Sequence, residues 1–160
     1  MSGRLSRTIG SRGERIAELL LTNYKDFGQP LFDPRFLGEQ KEFVDYYVEC
    51  GLPNGDRAFF LAQIKSTAGP APTAAGFETS ISREKWNALV RYRFPVYLFA
   101  VHEPSETVFI AAALHKRQMG ISRLASRNEL RPANLKLLYG EVAAYWLSRP
   151  RKWTSSRFKP

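Results

Sequence analysis

The amino-acid sequence predicts an α/β protein in which a mixed β-sheet carries helices on both of its faces. Segments of alternating or continuous apolar residues predict strands, and segments with apolar residues three or four positions apart predict helices. One predicted helix lies between two strands and follows a run of three strands, an order that favours a mixed sheet. The predicted order of elements is α-β-β-β-α-β-β-α.

The N-terminal part of the chain combines a helix with a long loop. Residues 6–24 predict an amphipathic helix whose polar side carries Glu14 and Glu18, four residues apart. Residues 25–41 show no period and contain two prolines, so we expect a long loop there. The predicted apolar side of the helix consists of Ile9, Ile16, Leu19 and Leu20.

The rest of the chain contains five predicted strands and two predicted helices. Residues 42–49 and 57–66 form a hairpin, and the second strand is apolar on both faces for most of its length, as is typical of a central strand. The tail after the last helix is expected to fray. The remaining elements are strands at 77–81, 95–102 and 106–114, a helix from the N-cap Ser82 to about Arg93, and a helix at 133–147.

The turn of the first hairpin decides which side chains meet across its two strands. A two-residue turn would set Asp45 opposite Ile64, so that the carboxylate faces away from the other polar side chains. A three-residue loop at residues 53–55 would set Asp45 opposite Gln63, with Lys65 diagonal to it. We expect the three-residue loop, because its last residue is a glycine and such loops favour glycine there.

A carboxylate, an amide and a lysine gathered at the ends of neighbouring strands suit a divalent metal ion. Mg²⁺ prefers oxygen ligands and keeps several waters, so Asp45 would be the carboxylate ligand, and the Gln63 side chain and the Ile64 backbone carbonyl would be neutral ligands. A metal-bound water is a better nucleophile near neutral pH. Lys65 would hold that water or neutralise the charge that develops on a phosphate. The pattern predicts phosphodiester hydrolysis with Mg²⁺ or Mn²⁺.

Two segments carry a resemblance to a known family. VDYYVE at residues 44–49 and AQIKS at residues 62–66 resemble the motif of the PD-(D/E)XK nuclease superfamily, which has the restriction-endonuclease-like fold. The glutamine before x-Lys is similar to Mrr-type restriction endonucleases and to bacterial nuclease-like domains of unknown function. In those domains RxGxxGE on a first helix precedes the motif, and this chain has RTIGSRGE at residues 7–14.

The resemblance implies a role for each matching residue. Asp45, Gln63 and Lys65 take the catalytic positions, and Glu14 assists the metal directly or through a water. An acid is usual where this chain has Gln63, so the amide removes one negative charge and weakens metal binding.

Some of these residues also have structural interpretations. Ser11 and Glu14 match a capping box, in which the glutamate bonds the backbone at the start of a helix. Asp45 and Lys65 would also form an ion pair without any catalytic function. These alternatives stay open on the sequence alone.

The net charge of +9 is confined to the last third of the chain. Residues 1–113 hold 13 Lys or Arg and 13 Asp or Glu, whereas residues 114–160 hold 11 Lys or Arg and two Glu. A localised basic surface favours nucleic acid as a partner, with an acidic protein or mere solubility as the alternatives. Trp153 and Phe158 in the basic tail stack on bases, dock back on the domain or contact a protein partner, and these alternatives stay open. The predicted nucleic-acid-binding residues are Lys116, Arg117, Arg123, Arg127, Arg151 and Lys152.

Together the patterns predict one nuclease-like domain at residues 1–148 and a basic tail at residues 149–160. We expect a Mg²⁺-dependent nuclease that acts on DNA rather than RNA, with protein partners or as a homodimer, and by resemblance in a prokaryotic defence system. The alternative is a weak or inactive domain of the same fold that binds nucleic acid or proteins. One cysteine, Cys50, and no long apolar segment or secretory signal predict a cytoplasmic protein without a membrane partner.

Overall fold

The structure is a computed structural model that describes residues 2–26, 28–38 and 43–160, with side chains described from residue 10 onward. Residue 42, the first of a predicted strand, and the side chain of Ile9 lie outside this description. No described helix combines the length and apolarity that a membrane span requires. The elements are α1 (Ser2–Asn23), β1 (Lys25–Asp26), β2 (Gln29–Pro30), β3 (Phe32–Phe36), β4 (Tyr46–Gly51), β5 (Arg57–Thr67), β6 (Phe77–Ile81), α2 (Arg83–Val90), β7 (Val96–His102), β8 (Thr107–Ala112), β9 (Ile121–Leu124), a 3-10 helix (Ser126–Asn128) and α3 (Pro132–Leu147).

A five-stranded mixed sheet forms the centre of the fold. Its strand order is β3-β4-β5-β7-β8, and only the pair of β5 and β7 is parallel. The connection from β5 to β7 carries β6 and α2, and such a crossover is what a parallel pair requires. β1 pairs with β2, and β6 pairs with β9, in two small separate sheets. The α/β class and the mixed sheet flanked by helices are therefore confirmed.

The central strand β5 is covered on both faces, as its sequence predicts. Ala58, Phe60 and Ala62 face a core that α1 and α3 complete. Leu61 faces a second core that contains Trp86 of α2. Because successive side chains of a strand point to opposite faces, β5 contributes to both cores.

Four of the described strands lie in segments that the sequence predicts as loops, and the short β1 and β2 are two of them, within residues 25–41. β3 lies within the predicted loop at residues 25–41, and β9 lies in the basic segment before α3. In β3 only Phe32 is buried, so the strand lacks the alternation that marks a half-buried segment. In β9 the exposed Ser122 and Arg123 separate the buried Ile121 and Leu124, and a short strand of this kind resembles a polar loop in sequence.

The first helix starts earlier and faces the sheet differently than the sequence predicts. α1 begins at Ser2, so Ser11 and Glu14 lie in its interior and the capping-box interpretation is wrong. Leu19, predicted on the apolar side, is 58% exposed. The residues of α1 that are buried against the sheet are Gly13, Ile16, Ala17 and Leu21.

The C-terminal segment is packed on the domain, and the prediction that it frays is wrong. The carbonyl of Phe158 accepts a hydrogen bond from the N–H of Ala112 in β8 at 2.8 Å, and its ring is buried in the core under α3. Asn128 Nδ2 donates to the carbonyl of Lys159 at 2.7 Å. Ser156 donates its hydroxyl to Glu141 at 2.8 Å. Of the interpretations of Phe158 that the sequence left open, docking on the domain is therefore the observed one.

The two edges of the main sheet are protected differently. Along the outer side of β8, the carbonyl of Val108 accepts from the N–H of Leu130 at 2.7 Å, and the Phe158 carbonyl bonds the same strand further on. In the described part of the chain β3 pairs only with β4. Pro34 in the middle of β3 has no N–H to offer to another strand.

We expect Gly13 to be the glycine of α1 that the fold cannot replace. A Cβ on Gly13 would overlap with the Cβ and Oγ of Ser66 in β5, whereas a Cβ on Gly10 would meet no described atom within 4 Å. Gly13→Ala should lower the free energy of unfolding by about 1–3 kcal/mol through overpacking. The matched variant Gly10→Ala should raise it by about 0.5–1 kcal/mol through helix propensity. Urea denaturation measures both, and equal effects would contradict the close packing of α1 on β5.

Candidate active site

The hairpin between β4 and β5 closes with three residues, as predicted. The N–H of Leu52 donates to the carbonyl of Asp56 at 2.7 Å, so these residues form the last pair and residues 53–55 form the loop. Gly55 has a φ of 87°, a left-handed conformation that glycine adopts without steric strain. The two strands therefore keep the register that brings Asp45 next to Gln63.

Asp45 lies where the pairing of β4 and β5 ends. Its N–H donates to the carbonyl of Ala62 at 2.9 Å. The N–H of Ile64 then donates to Oδ2 of the Asp45 side chain at 2.6 Å. Gln63 Nε2 donates to the same oxygen at 2.6 Å and to the carbonyl of Ile64 at 3.0 Å. The Gln63 amide thus bonds both the Asp45 carboxylate and the Ile64 carbonyl, which are, with Gln63 itself, three of the four groups predicted to hold a metal.

The environment of Asp45 opposes its ionisation. Burial raises the pKa of its carboxyl above the ordinary value of an aspartate, and this effect exceeds the opposing ones. The hydrogen bond from the Ile64 N–H, the positive charge of Lys85 and the hydrogen bond from Gln63 each favour the charged form. A bound proton or a bound cation would therefore relieve part of the cost of burying this carboxylate.

Two lysines lie near this carboxylate, and the sequence predicts only one of them. Lys65 lies two residues after Gln63 on the same face of β5, and it is exposed. Lys85 lies in the first turn of α2, and its charge acts on Asp45. Within the described residues neither lysine forms an ion pair with Asp45, so the structural ion pair of Asp45 and Lys65 is wrong. The sequence could not predict that Lys85 lies near Asp45, because the spacing of residues does not determine the path of the chain from β5 to α2.

Glu14 lies on α1, against the face of the sheet opposite to Gln63. It is half-buried, and its charge helps to raise the pKa of Tyr46, after the larger effects of burial and of Glu18. Asp45 contributes to the same shift. The hydroxyl of Tyr46 donates to Glu18 Oε2 at 3.1 Å, although the sequence places Glu18 on the polar side of the helix. The support of a metal ion by Glu14 stays a prediction.

The donor set around Asp45 fits a magnesium-like ion with few protein ligands. Across residues 10–26, 28–38 and 43–160, no three His, Cys, Asp or Glu side chains gather as a metal cluster. Mg²⁺ and Mn²⁺ accept one carboxylate with carbonyl oxygens and waters, whereas Zn²⁺ prefers His and Cys. Gln63 turns Nε2 toward Asp45 and Ile64, so it would have to present Oε1 instead to act as a ligand.

The six predicted nucleic-acid-binding residues lie in several places. Arg123 forms an ion pair with Glu78 at 3.0 Å. The guanidinium of Arg151 lies over the ring of Trp146, 4.8 Å from its centroid. Binding of nucleic acid by these residues stays a prediction. The others line three cavities, the first with Lys116 and Arg117, the second with Lys152 and the third with Arg127.

Comparison with known proteins leaves this site without a family assignment. No protein-family model matches the sequence, and no curated protein or solved structure matches it at a significant level. The resemblance to PD-(D/E)XK nucleases therefore rests on the residues described above.

We expect Asp45 to make the protein less stable as the pH rises above about 4, the ordinary range of an aspartate. Because its pKa is raised in the folded state, the folded protein binds the proton more tightly than the unfolded chain does. The contribution of Asp45 to the free energy of unfolding therefore falls as the pH rises through the window between the two pKa values. Asp45→Asn keeps an oxygen for the Ile64 N–H and removes the titration.

Denaturation of the wild type and of Asp45→Asn between pH 4 and pH 8 measures the difference between their free energies of unfolding. The wild type should lose stability relative to Asp45→Asn as the pH rises. Asp56→Asn, at the exposed residue that follows the hairpin loop, controls for the loss of one negative charge. A difference that does not change with pH, or that changes in the other direction, would contradict the raised pKa.

Proposed function

We propose that this protein is a metal-dependent nuclease that hydrolyses phosphodiester bonds of nucleic acid, with DNA as its substrate class. Asp45, Gln63 and Lys65 would form its catalytic core within a restriction-endonuclease-like fold. The observation that carries the proposal is the convergence of the Asp45 carboxylate, the Gln63 amide and the Ile64 carbonyl at the end of the β4–β5 pairing. The mixed sheet with helices on both faces is compatible with that fold.

The carboxylate of Asp45 is oriented before any ligand arrives. Two donors, the Ile64 N–H and the Gln63 amide, hold Oδ2 at 2.6 Å each. Oδ1 accepts no hydrogen bond from the described residues, so it remains available to a ligand. Mg²⁺ or Mn²⁺, held by Asp45, Gln63 and Ile64 with Glu14 in support, would supply Lewis-acid stabilisation of a phosphate. Preorganised groups of this kind lower the cost of reaching a charged transition state.

The two lysines would supply the positive charge that a phosphodiester requires. Lys65 is exposed on the face of Gln63 and forms no ion pair with a described residue, so its ammonium group is available to a phosphate oxygen. In the proposed role it neutralises the charge that develops on the phosphate, or it orients the attacking water. Lys85 approaches Asp45 from α2 and would add a second positive charge on the same side.

The wider function follows from the same proposal. A strand of DNA would be held by the basic residues of the last third of the chain, and partner proteins or a second copy would supply sequence specificity. The proposed setting is a prokaryotic defence system in the cytoplasm.

A second candidate function is a binding module that has kept the arrangement without the catalysis. The observation that favours it is the orientation of Gln63, whose Nε2 donates to Asp45 and Ile64, so all three groups satisfy one another. In this role Asp45 serves the fold, because it accepts the hydrogen bond of the Ile64 N–H.

We expect Mg²⁺ or Mn²⁺ to stabilise the wild type in an Asp45-dependent manner. A ligand that binds only the folded state adds about 2.7 kcal/mol at a concentration one hundred times its dissociation constant. The effect should be larger at pH 8 than at pH 5, because protons compete with the cation for the carboxylate. Thermal unfolding with the metal or with a chelator measures it, and Asp56→Asn is the control. An equal shift in Asp45→Asn would contradict a metal ion at this site.

We expect the protein to cleave plasmid or single-stranded DNA. This cleavage should require a divalent metal ion and should depend on the residues around Asp45. Asp45→Asn and Lys65→Ala should each reduce the cleavage rate by roughly a hundredfold, the effect of removing one group that stabilises transition-state charge. Lys85→Ala should reduce it less, because Lys85 acts on Asp45 through its charge alone. Gel assays with Mg²⁺, Mn²⁺ and chelator measure these rates.

The matched control is Lys136→Ala, which removes an exposed lysine from α3 on the other face of the sheet. Cleavage that persists in chelator, or that survives Asp45→Asn, would refute the nuclease proposal. Salt-dependent binding of DNA without cleavage by the wild type would support the binding module instead.

A further inference from the structure

We propose that the cavity between the loop after β8 and the C-terminal segment binds a nucleoside phosphate. This inference goes beyond the proposed nuclease function, because the cavity shares no residue with the site around Asp45. The cavity measures about 420 Å³, within the usual range of small-molecule sites of roughly 300–1,000 Å³. Its two walls are the loop that carries Lys116 and Arg117 and the segment that carries Ser155 and Lys159.

The positive charges of this cavity form no ion pair with an Asp or Glu of the described residues. Lys116, Arg117 and Lys159 line it, and none of their side chains forms an ion pair or hydrogen bond with a described residue. Other basic side chains of the same third of the chain are paired, as in the contact of Arg131 with Glu129 at 2.7 Å. No Asp or Glu lines the cavity. An anion from outside would therefore meet three available cations and no Asp or Glu side chain in the lining.

The loop wall of the cavity is fixed against α2. Trp86 Nε1 donates to the carbonyl of His115 at 2.9 Å. Asn87 and the backbone of Arg117 exchange two hydrogen bonds, at 2.8 and 3.1 Å. The opposite wall is fixed as well, because Asn128 bonds the carbonyl of Lys159. Since the backbone of both walls is held in place, little conformational entropy would be lost when a ligand binds.

The residues that line the cavity suit both the phosphate and the base of a nucleotide. Three cations and the hydroxyl groups of the C-terminal segment suit a phosphate monoester, which carries up to two negative charges. Ala112, Leu114 and Trp86 form the apolar floor of the cavity beside these cations, and a planar base would pack against it. Inorganic phosphate would leave the floor uncovered, and an uncharged nucleoside would leave the cations without a partner.

Calorimetric titration of the full chain with adenosine 5′-monophosphate, adenosine and inorganic phosphate tests the proposal. The monophosphate should bind at least ten times more tightly than adenosine or phosphate. The double variant Lys116→Ala with Arg117→Ala should weaken its binding at least tenfold, and Lys159→Ala on the opposite wall gives an independent reduction. The matched control is Lys136→Ala, an exposed lysine of α3 outside this cavity, and it should change the affinity less than twofold.

A phosphate monoester can belong to a free nucleotide or to the 5′ end of a strand, and competition distinguishes the two. A 5′-phosphorylated single strand that displaces the monophosphate, where the 5′-hydroxyl strand does not, identifies the strand end as a ligand. Displacement by neither strand identifies the free nucleotide. Equal affinity for adenosine or inorganic phosphate, no binding of the monophosphate at millimolar concentration, or unchanged binding by the Lys116 and Lys159 variants would overturn the proposal.

Discussion

The candidate site depends on one hydrogen bond, from the backbone N–H of Ile64 to the carboxylate of Asp45. The pairing of β4 and β5 ends at Tyr46 and Ala62, so this N–H lies just beyond the paired residues and bonds the side chain of Asp45. A buried N–H without an acceptor costs roughly 1–3 kcal/mol, which explains why a carboxylate is held there despite the cost of its own burial. The same bond points the carboxylate toward Gln63. The same arrangement of Asp45 therefore serves both the fold and the proposed reaction. Asp45→Asn separates the two roles, because it removes the charge and keeps an oxygen for the Ile64 N–H.

The parts of the fold that the sequence predicts are those that local chemistry determines. A glycine at position 55 selects the loop length, the loop length sets the strand register, and the register brings Asp45 to Gln63. Ser82 likewise caps α2 as predicted, because its hydroxyl accepts from the N–H of Lys85 at 3.2 Å. The missed elements depend on distant partners. β3 and β9 are strands because of the strands they pair with, and the proximity of Lys85 to Asp45 depends on the path of the crossover.

Net charge describes this protein less well than the pairing of individual charges does. The excess of basic residues in the last third of the chain suggests one continuous basic surface that would bind a polyanion. In the structure, however, Arg123 and Arg131 are paired with glutamates, and Arg151 lies over a tryptophan ring. Three cations that form no ion pair with a described residue, Lys116, Arg117 and Lys159, lie together in the cavity beside the C-terminal segment. Positive charge close to Asp45 comes instead from Lys65 and Lys85, which belong to the electrically neutral part of the sequence.

The docking of the C-terminal segment on β8 has a consequence for solubility. An uncovered strand edge is a template for pairing with other chains, and β8 is buried and apolar along almost its whole length. Proteolytic removal of the segment would expose the end of that edge at Ala112 and the apolar surface now under Phe158, while Leu130 would still cover Val108, and we expect the clipped protein to aggregate more readily. The opposite edge, at β3, needs no cover, because Pro34 and its charged neighbours Asp33 and Arg35 discourage the addition of a strand. In covering this part of β8, the C-terminal segment would oppose self-association.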